Sequence, residues 1–65
     1  MTIGEKIKEI RTSKNMLIKE LAEKSGLSVA SIINYEKGKF KPNIISVKRI
    51  AEALNYDFDE LYDLR

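Results

Sequence analysis

The sequence predicts an all-α fold of five short helices, and three observations carry that prediction. Apolar residues recur at helical spacing with no strand-like alternation of any length. Short polar side chains suited to helix starts precede the apolar stripes, and glycine, asparagine or proline interrupts them afterwards. The 65 residues, 43% of them hydrophobic, suffice for one small core, so residues 1–65 are read as a single domain.

Thr2 caps the first helix, with Glu5 three residues on completing a capping box, and Ile3, Ile7 and Ile10 then share one face. The pattern breaks near Ser13–Asn15. A second cluster, Leu17, Ile18, Leu21 and Ala22, ends at Ser25–Gly26, where glycine suits a left-handed closing residue. Ser28 opens a third helix running through Tyr35 and Glu36. The segment Lys37-Gly38-Lys39-Phe40-Lys41-Pro42 is irregular. Asn43 caps a fourth helix with Ile44, Val47, Ile50, Ala51 and Leu54 inward, and Asn55 is its left-handed stop. Asp57 and Glu60 form a further capping box, and Phe58 and Leu61 of the last helix face the core.

Composition narrows the function classes. There is no cysteine and no histidine, which removes disulfides, zinc–thiolate sites, thiol catalysis and the usual general base. No enzyme activity, metal or cofactor is therefore expected. No apolar run is long enough for a membrane span, so no membrane partner is expected and a cytoplasmic setting is. The formal charge of +2 conceals an asymmetry: residues 1–41 carry a net +4 and residues 42–65 a net −2. A basic front of this kind points to an anionic partner.

The informative stretch is Ile18 to Glu36. Two helices crossing steeply over a tight turn need a small residue at the approach, a residue that tolerates positive φ in the turn, and one apolar anchor in the second helix. Ala22, Gly26 and Ile32 are spaced for those three tasks, and Leu27 plugs the turn. This is the skeleton of a helix-turn-helix.

The whole chain resembles the lambdoid repressor and Cro-type (XRE-like) helix-turn-helix family. The likeness runs through Ile3–Arg11, Glu20–Lys24, Gly26-Leu27-Ser28, Ile32, Tyr35-Glu36-Lys37-Gly38, Lys41-Pro42, Ile50–Leu54 and Phe58–Leu61. It implies a compact repressor-type domain of bacterial or phage origin. It also implies a regulator, in repressor mode, that binds double-stranded DNA as a homodimer on a palindromic operator, with the helix at 28–36 in the major groove.

The base-reading positions are then Val29, Ala30, Ile33 and Asn34. Asn34 suits adenine, and the apolar three suit thymine methyl groups. Lys19, Ser28, Lys37, Lys39 and Lys41 are implied phosphate contacts. Arg11 and Glu36 match a structural salt bridge of the family, and Tyr56, Tyr62 and Leu64 are the implied dimer interface. Two departures stand out. Leu17 and Ile18 occupy positions where the family carries a hydroxyl residue and a DNA-touching glutamine, and the reading helix is unusually apolar. Together with Ile33, taken as exposed, these motivate an alternative: an antitoxin-like or anti-repressor module with a protein partner and reduced DNA affinity.

Overall fold

Four of the five helices begin on a side chain that satisfies backbone N–H groups the helix itself leaves unpaired. The computed structural model describes residues 2–62. Its helices are α1 (Ile3–Ser13), α2 (Ile18–Ser25), α3 (Val29–Glu36), α4 (Ile44–Leu54) and α5 (Phe58–Tyr62), with no strand among the described residues.

At α1, Thr2 Oγ1 accepts from the Glu5 amide at 3.1 Å while Glu5 Oε1 accepts from the Thr2 amide at 2.8 Å, the reciprocal box expected. Ser28 accepts from the Ser31 amide at 3.1 Å and Asn43 from the Ser46 amide at 2.8 Å. At α5 the capping differs from the expected box. Asp57 Oδ1 accepts from the Asp59 amide at 2.8 Å, so the bond spans two residues. Glu60 instead meets α1 through its carbonyl, which accepts from Lys6 Nζ at 3.0 Å. The exception is α2: Leu17 has no side chain to offer, and only Glu20 reaches back, accepting from the Leu17 amide at 2.9 Å. A missing cap of this kind costs about 1 kcal/mol.

Helix ends are set by left-handed residues. Gly26 (φ 74°) closes α2 and Asn55 (φ 53°) closes α4, as their types predict. Asn15 (φ 56°) turns the chain between α1 and α2 in the same way.

The core takes Ile3, Ile7 and Ile10 from α1, Leu21 and Ala22 from α2, and Ile32 from α3. It takes Val47, Ile50, Ala51 and Leu54 from α4 and Leu61 from α5. Full burial of a side chain such as Ile32 is worth about 1.5–3 kcal/mol. Leu27 and Phe58 pack against this core while partly exposed, and Phe58 stacks on Tyr62 with ring centroids 5.2 Å apart.

Ile44 departs from expectation, being 54% exposed. At about 100° per residue it lies at the edge of the α4 stripe, in the first turn. Burial begins only with Ser46 and Val47.

Candidate nucleic-acid interface

Three contacts hold α3 in place from behind. Its anchor, Ile32, is fully buried. At its C-terminal end, Arg11 of α1 forms a two-pronged ion pair with Glu36, Nε to Oε2 at 2.7 Å and Nη2 to Oε1 at 3.1 Å. The side chains are only 10% and 5% exposed, so the pair is held in a poorly solvated setting where geometry matters. The remaining Arg11 nitrogen, Nη1, donates to the Met16 carbonyl at 2.7 Å. One guanidinium thus ties α1, the α1–α2 turn and α3 together.

The third contact is Gly4 of α1, which lies against the backbone of α3's last turn. A Cβ there would overlap the Tyr35 carbonyl oxygen and stand 2.9 Å from its carbon. Gly4 was not singled out from sequence, because nothing local distinguishes it from any helical glycine.

Between α2 and α3 the chain turns over Gly26 and Leu27. The Leu27 amide donates to the Ala22 carbonyl at 3.1 Å, and Ser25 and Ala22 are buried beneath it. Ala22, Gly26 and Ile32 therefore stand where the spacing assigned them: small approach, left-handed turn, buried anchor.

Held this way, α3 presents Val29 (43% exposed) and Ala30 outward, with Ser28 exposed at its start and Asn34 half-buried one turn on. Ile33, expected to be exposed, is half-buried. It shares a shallow depression with Ile18, Lys8, Arg11, Glu36 and Lys37, so neighbouring α1 and α2 side chains shield part of it. Lys19 is exposed in the first turn of α2.

Lys37, Lys39 and Lys41 are exposed on the segment after α3. That segment closes on α3, with the Gly38 amide donating to the Tyr35 carbonyl (3.1 Å) and the Lys39 amide to the Asn34 carbonyl (2.9 Å). Around Gly38 (φ 76°) there is open space. Phe40 and Ile45, exposed in and just after this loop, carried no signal in the sequence. Only tertiary placement distinguishes a covered apolar residue from an uncovered one.

At the opposite end, Tyr62 is 44% exposed, whereas Tyr56 packs partly against the core beneath Lys6, whose Nζ is 5.7 Å from the ring centre. Leu64 lies outside the described residues. Among the described residues no group of acidic side chains is placed to hold a metal ion, and no helix is long and apolar enough to cross a membrane.

A tight glycine turn between two short helices, the second anchored from behind and presented at the surface, defines a helix-turn-helix protein. The chain belongs to the helix-turn-helix family of the Cro/C1 (XRE) type, whose profile matches residues 7–61, a DNA-binding family of transcription regulators. It is 38% identical over 61 residues to the HTH-type transcriptional activator BcrR of Enterococcus faecalis, covering 94% of this chain and 30% of that protein. It is 33% identical over 54 residues to the immunity repressor of Bacillus phage phi105, covering 83% of this chain and 38% of the repressor. The chain thus spans well under half the length of these two relatives. Its fold is similar to that of the restriction-modification controller protein C.AhdI from Aeromonas hydrophila, with a TM-score of 0.87 and 29% identity over 91% of this chain and 89% of that one.

Proposed function

We propose that this chain is a transcriptional repressor that binds a palindromic DNA operator as a homodimer, α3 of each copy lying in the major groove. The observation that carries the reading is the surface of α3. Its buried side is fixed by Ile32 and the Arg11–Glu36 pair, while Val29, Ala30 and Asn34 are left accessible with lysines at 37, 39 and 41 close behind. Asn34 reads one adenine through its amide. Ser28 at the start of α3, Lys19, and the three loop lysines meet phosphates, fixing register without reading sequence. Tyr62, exposed on α5, joins Tyr56 and Leu64 at the two-fold interface.

The test is selection from a random duplex library at low and near-physiological salt. The reading expects an enriched inverted repeat with half-sites about one helical turn, ~10 base pairs, apart, and a dimer in sedimentation with the selected duplex. Binding that salt erases and that enriches no sequence contradicts it.

A second reading, a protein-interaction module, draws support from one feature: Leu17, Phe40, Ile44 and Ile45 are large apolar side chains left exposed. Recovery of one stable protein partner, with duplex binding at background, would favour it.

A further inference from the structure

The polar side chains of α3 are almost all committed within the protein. Ser28 Oγ accepts from the Ser31 amide and donates to Ser31 Oγ at 2.9 Å. The Tyr35 hydroxyl donates to Ser46 Oγ in a long bond of 3.5 Å, and both Glu36 oxygens accept from Arg11. Asn34 is the one polar side chain of α3 that forms no hydrogen bond among the described residues. A single carboxamide specifies a single adenine. Beside Asn34, the residues Val29, Ala30 and Ile33 offer hydrocarbon, flanked by exposed Ser28 and by the charged Lys8 and Lys37 at the rim of the Ile33 depression. Val29 and Ile33 are one helical turn apart, Ala30 lies between them, and Ile33 shares its depression with Ile18 of α2, beside exposed Leu17.

The major groove offers such a surface one apolar feature, the methyl group on C5 of thymine. An unmodified G·C pair presents only the C5–H edge of cytosine at that position, so an apolar wall finds no methyl group to bury there. Cytosine methylated at C5 places the same methyl group in nearly the same position. We infer that α3 reads the C5-methyl group of pyrimidines, so that 5-methylcytosine substitutes for thymine opposite Val29 and Ile33 and uracil does not. Cytosine methylation within a half-site then strengthens binding. This rests on the DNA-binding reading above, and its test separates the two.

The duplex selected from the thymine library is remade with uracil in place of each thymine in turn. It is also remade with cytosine or 5-methylcytosine at each pyrimidine position in turn. Affinity falls about fourfold for each contacted methyl group lost, the worth of burying one methyl-sized group. At the positions where uracil weakens binding, 5-methylcytosine exceeds cytosine by a similar factor. Val29→Ala, at an exposed site, narrows the thymine-to-uracil ratio, whereas Asn34→Ala leaves that ratio unchanged while lowering overall affinity. Equal affinity for thymine and uracil duplexes overturns the inference and leaves the proposed function standing. Failure to enrich any sequence overturns both.

Discussion

The inward and outward faces of α3 are built on opposite terms. Inward, Ile32 has no exposed surface, Tyr35 reaches Ser46, and Glu36 is held at both oxygens by Arg11. Outward, Val29 and Ala30 stand in solvent and the Asn34 amide is uncommitted among the described residues. Each group on the inward face has a partner whose loss strands a buried polar atom or opens a cavity. Each group on the outward face can change without disturbing a neighbour. The contrast separates positioning from reading: substitutions inward should move stability, and binding only as a consequence, while substitutions outward should move binding alone.

The largest effect expected is Arg11→Ala. It leaves the Glu36 carboxylate buried and unpaired and releases the Met16 carbonyl. Breaking a buried pair from one side costs about 3–5 kcal/mol, comparable to the ~3–5 kcal/mol that a single small core supplies. Loss of most helical circular dichroism near 37 °C is the expected outcome, and a folded variant would show that the pair is dispensable.

Gly4→Ala comes next. In an exposed helix the change stabilises by up to about 1 kcal/mol. Here the new Cβ meets the Tyr35 carbonyl, a backbone group that cannot swing aside, and such overpacking costs about 1–3 kcal/mol. With about 2 kcal/mol lost, the melting temperature falls by roughly 8–16 °C. A rise in melting temperature would mean that α1 and α3 are not in the close contact described.

Lys39→Ala sharpens the outward side of the comparison. Melting should be unchanged, affinity should drop on every duplex alike, and the slope of log affinity against log salt should decrease by about one. The smallest effect concerns pH. The Thr2 amide, with its hydroxyl, holds the Glu5 carboxyl below its ordinary pKa. A group depressed in the folded state contributes stability that is fully present above its unfolded pKa and lost as pH falls through the folded one. Glu5 therefore adds to the decline in melting temperature below about pH 4.5. Glu5→Gln, which keeps the box without the charge, flattens that decline.

Much of this architecture was legible in the sequence because it is local. Caps at Thr2, Ser28 and Asn43 and left-handed stops at Gly26 and Asn55 depend on residues within one turn of each other, and all five are present. The Ala22–Gly26–Ile32 spacing was legible for the same reason. What escaped is set by distant parts of the chain. Helical periodicity assigns Ile44 to the inward stripe but does not say where the covering helices stop. Nothing near Ile33 announces that Ile18 lies beside it, and Gly4 is required only by a carbonyl more than thirty positions away. At Asp57 the side chain satisfies the Asp59 amide directly, leaving Glu60 out of the expected box.

The measurement that bears most directly on the outward face compares Asn34→Ala with the unaltered chain on two duplexes, the selected sequence and a scrambled one of equal composition. The expected outcome is a loss of about 1–3 kcal/mol on the selected duplex alone, with melting temperature and scrambled-duplex affinity unchanged. Equal loss on both duplexes, or no loss on either, would contradict the assignment of α3's outward face to sequence reading.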